Sequence, residues 1–449
     1  MLSSVVPHAH DQGMYLTSGI ALATMVVSFL LIALLGKKFR QDIPIAVNLF
    51  VSVALGAVVT GFGVPFRHLF EGPVWYIYIN LVIFTGMIFL TCMKHAGNLD
   101  CIAYDILTKF RTRPALMFCL IVLLLFFPGM VTGVGTAAVL STGMVTIVIL
   151  RVCGIPNIKI AAIVAMVTTI GAAAPPVNLP AIIIASGINM PYEGFDLLLL
   201  VMTVPLGLFT IFLLGYRDFT PPSPDAIEQA LPKPERKNAL MPYVPMIVVV
   251  VIMLLIRIFP GEFPDIVTPM VFMIGSFITL ISGRKFNYVA ACREAVRGGV
   301  FSTVALIFVV GAVVQVTTLT GAKGLLVLGA MVFGSLAPAL MYLAMGISLP
   351  ILGGVLTHLG ASVILGIPFT LALVSRNQIA IVAGCSLLCV LAQMIPPSAL
   401  GGYFAQELTE EPSYTPVLRT SVTPLLVSMA FSVMVLVFAN QFAAWFVPF

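Results

Sequence analysis

Gly171-Ala172-Ala173-Ala174-Pro175-Pro176-Val177-Asn178 interrupts an apolar run at 158–186, and Gln393-Met394-Ile395-Pro396-Pro397-Ser398 interrupts a second run at 378–407. Proline has no backbone N–H and its ring clashes with the preceding turn, so a Pro-Pro pair ends a helix. Both runs are long enough to cross ~30 Å of hydrocarbon. A helix broken at membrane depth persists only where protein or a water-filled cavity surrounds the freed backbone. The two Pro-Pro pairs lie 221 positions apart.

Working outward, Pro114-Ala115-Leu116-Met117 recurs as Pro338-Ala339-Leu340-Met341, and Gly97 recurs as Gly321, both at an offset of 224. Three landmarks in one order, within three residues of one offset, indicate a duplicated unit. Apolar chains built from two such halves are characteristic of secondary transporters.

Composition agrees with this class. Of 449 residues, 60% are hydrophobic and 9% are charged, against about 25% charged in soluble domains. The strand alternation of an outer-membrane barrel is absent. The net charge of +5 comes with no extended basic run, so no nucleic-acid surface is expected. No basic segment precedes the first apolar run, and residues 16–36 read as a retained helix. The seven cysteines have no CxxC spacing and read as small apolar residues, Cys385 and Cys389 included. Neither HExxH nor a Walker loop occurs, so the chain reads as neither a zinc hydrolase nor an ATPase, and energy for uphill transport would come from an ion gradient.

The expected fold is an all-α polytopic membrane protein. Crossings are predicted at 16–36, 43–62, 74–93, 158–186, 196–215, 241–258, 267–283, 300–319, 378–407 and 421–445. The stretches 114–152 and 338–374 are too long for one span and carry Gly, Thr or Pro at their centres. Each reads as a re-entrant hairpin. Lys and Arg mark the cytoplasmic side of short loops; Lys37, Lys38, Arg40, Lys109, Arg111, Arg113, Arg151, Lys159, Arg217, Lys233, Arg236 and Lys237 fall on one side. Hairpin 114–152 then opens from the cytoplasm and hairpin 338–374 from outside. Five crossings per half is an odd number, so residues 241–449 form a repeat inverted relative to residues 1–215. The stretch 216–240, with Pro221, Pro222, Pro224, Pro232 and Pro234, reads as a cytoplasmic linker.

The chemistry concentrates at the hairpin centres and the breaks. A broken helix offers carbonyls to a cation and N–H groups to an anion. The expected substrate-binding residues are Thr136, Ser141, Asn178, Thr357, His358, Ser362 and Ser398. The expected Na⁺ ligands and supports are Thr132, Gly133, Gly135, Gly171, Pro175, Gly353, Gly354, Gln393 and Pro396. Thr136 coincides with Thr357, and Ser141 with Ser362, under the 221 offset, which suggests two ion sites related by a pseudo-twofold axis. For any single Gly or Thr, close helix packing is the default explanation; the two constellations taken as units favour a binding site. His358 lies at membrane depth, where an ionisable group is a functional candidate.

Thr132-Gly133-Val134-Gly135-Thr136 followed by Gly171-Ala172-Ala173-Ala174-Pro175-Pro176-Val177-Asn178-Leu179-Pro180 resembles the large permease subunit of the TRAP (tripartite ATP-independent periplasmic) transporters, within the ion transporter superfamily. The likeness runs over roughly 16–445, and residues 349–405 resemble the second-half counterpart. Thr357 stands where such permeases commonly have Asp. The resemblance implies an elevator mechanism, with hairpins and broken helices as the moving part and spans near 43–93 and 267–319 as scaffold. It implies Na⁺-driven import of a small carboxylate across the inner membrane, with no cofactor beyond the coupling ion. It also implies two partners, a small membrane subunit and a periplasmic substrate-binding protein. The rival expectation is a stand-alone anion carrier of the same superfamily in which His358 carries a proton. A channel fits poorly, because channels build pores from symmetric oligomers around repeated filters.

Overall fold

The computed structural model describes residues 9–39, 43–231, 233–234, 238–259, 262, 264, 266–297, 300–336 and 338–447. Arg40, Pro232, Arg236 and Lys237, read above as cytoplasmic, lie outside the described residues. Everything regular among the described residues is helical. Among the described residues, eight helices are long and apolar enough to cross a membrane, with shorter apolar helices between them. The chain is a multi-pass membrane protein.

The first half contains α1 (Ala9–Lys38), α2 (Ile45–Val59), α3 (Phe66–Trp75), α4 (Ile77–His95), α5 (Asn98–Phe110) and α6 (Pro114–Thr132). It continues with α7 (Gly135–Ala138), which runs through a π turn into α8 (Met144–Val152), then α9 (Asn157–Gly171), α10 (Leu179–Gly187) and α11 (Asp196–Gly215). A short helix, α12 (Pro224–Ala230), lies in the linker. The second half repeats the order. It has α13 (Val244–Ile258), α14 (Thr268–Ser282), α15 (Tyr288–Arg297), α16 (Val300–Leu319), α17 (Ala322–Leu336) and α18 (Pro338–Leu356). Then come α19 (His358–Ala361), a π turn, α20 (Ile367–Ala372), α21 (Gln378–Leu391), α22 (Leu400–Leu408), α23 (Tyr414–Val437) and α24 (Ala439–Phe446). The crossings expected at 158–186 and 378–407 are each split in two by their prolines, and both Pro-Pro bonds are cis.

Side-chain contacts give the direction of each half. Lys159, near the start of α9, pairs with Asp218 just beyond α11, and Gly215 at the end of α11 faces Ile155 and Ile163. The start of α9 and the end of α11 therefore share one face. At the opposite end of α11, Gly194 faces Ile379 at the start of α21. A 20-residue helix is about 30 Å long, so α21 starts on the face opposite α9. The two broken helices run antiparallel.

The hairpins follow the same opposition. Before α6, Arg111 Nη1 donates to Pro222 O at 3.4 Å, and after α8, Thr220 N donates to Cys153 O at 2.9 Å. Both ends of the first hairpin thus meet one short stretch of the linker. At the end of α20, Gln378 Nε2 donates to Leu373 O at 3.0 Å, beside the start of α21. On α18, Gly346 faces Val433 near the end of α23, and that end returns to the same place through Asn377 N and Asn440 Oδ1 at 2.8 Å. The second hairpin therefore opens on the other face.

Two packed groups result. Helices α2, α3 and α4 pack against α14, α15 and α16, each half covering the other. Close approach needs small residues there: a Cβ on Gly72 of α3 would lie 2.8 Å from Ala312 N of α16. In the second group each returning hairpin arm lies on its own broken helix and on the short helix beyond the other half's prolines, α7 on α9 and α22, α19 on α21 and α10.

Candidate functional site

The first hairpin turns at Gly133 (φ 67°) and Val134. Gly133 is the left-handed residue that ends a helix without Cβ strain, and its N–H bonds Gly129 O at 2.6 Å. The second hairpin turns at Thr357 alone, with φ 94° and ψ 156°. The matched element bounds correct the residue pairing expected above. The offset is 224 along α6 and α18, 223 from α7 and α19 through the π turns, and 221 only from α9 and α21 onward. Thr357 therefore corresponds to Gly133, not Thr136. Gly135 corresponds to His358, and Val139 to Ser362. One residue fewer at the second turn takes the offset from 224 to 223, and two fewer between the π turn and the broken helix take it to 221.

Each turn is tied to the break of its own half by one matched backbone bond. Val177 N donates to Met130 O at 3.2 Å, and Ser398 N donates to Gly354 O at 2.9 Å. Gly129 packs so closely on the first break that a Cβ there would lie 2.8 Å from Ala172 N. Gly171 packs on Phe126, and Gly353 on Ala392.

Three of the carbonyls expected to be free at the first break are engaged. Ala173 N bonds Ile170 O at 3.0 Å, Ala174 N bonds Gly171 O at 3.1 Å, and Ala173 O accepts from Asn178 Nδ2 at 2.9 Å. Asn178 is fully buried; its amide also donates to Ser386 Oγ at 2.9 Å, and its Oδ1 accepts from Ala181 N at 3.1 Å. Several hydroxyls serve their own helix: Thr132 Oγ1 bonds Pro128 O, Ser141 Oγ bonds Ala137 O, and Ser362 Oγ bonds His358 O. Thr357 Oγ1 caps α19 by accepting from Gly360 N at 3.3 Å.

The structure brings Gly135, Thr136 and Gln393 together. A Cβ on Gly135 would lie 2.8 Å from Gln393 Oε1, 3.3 Å from Thr168 O and 3.5 Å from Thr169 Cα. Gln393 Nε2 and Thr169 Oγ1 are both buried without a hydrogen-bond partner, and such atoms are costly to leave unpaired. Thr136 turns its methyl to Gly401 of α22. The chain thus closes polar atoms of α9, the first hairpin and the second break around the bare backbone of Gly135. Thr169 and Ser386 were missed by sequence reasoning. Thr168-Thr169, within a turn of Gly171 in an otherwise apolar helix, is the signal that could have found the former. In the second half the matched position is filled by His358, whose Nε2 is buried without a partner. No group of three or more His, Cys, Asp or Glu side chains able to hold a metal occurs among the described residues.

The two breaks differ in exposure. Pro175 is buried, while Pro396 and Pro397 are exposed and Leu400 is 54% exposed. Ser398 is half-buried beside them.

No family model matches the chain, and no curated protein matches it significantly. Among solved structures, the Alcanivorax borkumensis YdaH transporter, described as having an unusual topology, is similar at a TM-score of 0.60 with 16% identity, covering 87% of this chain and 91% of that one. MtrF of Neisseria gonorrhoeae, described as illuminating a class of antimetabolite efflux pumps, is similar at 0.60 with 12% identity, covering 97% and 96%. This chain has the fold found in those transporters.

Proposed function

We propose that this chain is the membrane permease of a secondary, Na⁺-driven, TRAP-type transporter that imports a small organic acid across the inner membrane by an elevator movement. The observation that carries the reading is the meeting at Gly135. Thr168 O from one half and Gln393 Oε1 from the other close on the bare backbone of Gly135, and the buried polar atoms Thr169 Oγ1 and Gln393 Nε2 of the residues that meet there have no partner. Neutral oxygens there (Thr168 O, Thr169 Oγ1, Gln393 Oε1) are the ligand type that suits Na⁺. The group α2–α4 with α14–α16 supplies the scaffold, and the hairpins and broken helices move against it. The small membrane subunit and the periplasmic binding protein follow from the motif resemblance. Lys109, Arg111, Arg151 and Lys159 on the linker face support a cytoplasmic position for that face.

One observation favours a second reading. The unpartnered His358 Nε2 fits a proton carrier in a stand-alone anion transporter.

The test is succinate uptake into proteoliposomes. An inward Na⁺ gradient should stimulate uptake, and Gly135→Ala should abolish the stimulation while Gly329→Ala, whose added Cβ meets nothing within 4 Å, leaves it intact. Uptake indifferent to Na⁺ but driven by a pH gradient, and lost in His358→Gln, would replace the first reading with the second.

A further inference from the structure

The two half-helices beyond the breaks begin differently. At α10 the first turn is closed: Pro180 has no N–H, and Ala181 N is taken by Asn178 Oδ1. The position matching Asn178 at the 221 offset is Ala399, and α22 has no side-chain cap. There Leu400 N reaches Ser398 O and Tyr403 N reaches Ala399 O. Between them the amides of Gly401 and Gly402 have no acceptor among the described residues. Both glycines are buried. Unfilled N–H groups at a helix start, with the positive end of the helix dipole, form an anion site.

A second observation points at the same place. Gln393, 5% exposed, ends in an amide whose Nε2 has no partner and whose Oε1 lies against Gly135. The next residue, Thr136, faces Gly401 at 3.9 Å from where a Cβ would stand. Buried amide donor and helix start thus flank the same two residues of α7, and the neighbouring prolines are exposed.

We infer that the N-terminus of α22, with the Gln393 amide, is the subsite for a carboxylate group of the substrate, and that the equivalent start of α10 is closed to it by Asn178. The inference rests on the carboxylate-transport reading and assigns the anion to one of two otherwise matched breaks. A carboxylate oxygen accepts from the Gly401 and Gly402 amides, and Gln393 Nε2 donates to the second oxygen. No side-chain cation is needed.

The experiment is thermal unfolding of the purified full chain in detergent with succinate, citrate or N-acetylneuraminate, and with succinamide as the uncharged control. At least one carboxylate should raise the wild-type Tm and succinamide should not. Ala399→Asn places at α22 the cap that α10 already has; Ala399 is fully buried, so a cooperative unliganded transition is the check that the variant folds, and its apparent affinity for the carboxylate should fall roughly tenfold or more, the size of losing charge-assisted hydrogen bonds. Gln393→Ala leaves the helix start intact and should weaken the same carboxylate to a similar degree, which decides the matter if Ala399→Asn does not fold. Unchanged affinity in a folded Ala399→Asn, or in Gln393→Ala, overturns the subsite while leaving carboxylate transport standing. A wild type stabilised by none of the three carboxylates refutes the transport reading, and the subsite with it.

Discussion

Asn178 Nδ2 donates to Ser386 Oγ at 2.9 Å, joining the break of the first half to the long arm of the second half's broken helix. The bond is buried at both ends. It holds together two helices that run in opposite directions, and it uses a side chain that sequence reasoning had assigned to the substrate.

Replacing Asn178 by Ala removes the cap on α10, the bond to Ala173 O and the bond to Ser386 Oγ together. A lost N-cap costs ~1 kcal/mol, and each buried group left unpaired costs ~1–3 kcal/mol, so Asn178→Ala should lose about 2–4 kcal/mol and most of its uptake. Ser386→Ala removes one bond and should lose only about 1 kcal/mol. Thermal unfolding in detergent and uptake per folded molecule check the order. An Asn178→Ala variant as stable as wild type that transports nothing would return Asn178 to the substrate site.

Most of the architecture was legible because prolines and glycines act at single positions. Pro175-Pro176 and Pro396-Pro397 end helices wherever they stand, and Gly97 and Gly321 take the left-handed backbone at matched places, with φ 75° and 73°. The opposed hairpins followed from the duplication and the odd count of crossings. The pairing of Thr136 with Thr357 does not hold, because the stretch from the π turn to the broken helix is two residues shorter in the second half: Val139 matches Ser362 at an offset of 223, and Asn157 matches Gln378 at 221. Counting along the sequence from the Pro-Pro pairs carries that slip without showing it. Hydroxyl roles were not legible either. Ser141 and Ser362 bond the carbonyl four residues back, whereas Thr169 does not, and only packing decides which.

Thr357 makes the second turn in a backbone region that is essentially restricted to glycine, at φ 94° and ψ 156°. Such a conformation costs a side-chain-bearing residue ~1–3 kcal/mol. Glycine at an N-cap gives up only a few tenths of that. Thr357→Gly should therefore unfold at a higher temperature than wild type, by about 1 kcal/mol of stability. Thr357→Val keeps the strain, loses the bond to Gly360 N and should fall below wild type by ~1 kcal/mol. If the hydroxyl also contacts ion or substrate, Thr357→Gly will be more stable yet transport less. A Thr357→Gly variant less stable than Thr357→Val would show that the turn is not strained as described.

Asp100, in the first turn of α5, lines a cleft of about 470 Å³ on the linker face together with Lys233 and Arg284. Partial desolvation raises its pKa above the usual carboxylate value although the residue keeps an exposed surface; Arg284 and then Lys94 oppose the rise without cancelling it. A carboxyl with a raised folded-state pKa holds its proton more tightly folded than unfolded. Its charge therefore costs nothing below the unfolded pKa near ~4, and the cost grows as pH rises from there through the folded value. Asp100→Asn removes the charge and should raise Tm at pH 8 by about one or two degrees, the scale of a partly screened group. The gain should shrink steadily toward pH 4 as wild-type Asp100 takes up its proton. Unfolding curves for both proteins across that range check it. A gain independent of pH would assign the effect to packing, and a loss at pH 8 would mean that the attraction of Arg284 and Lys94 outweighs burial.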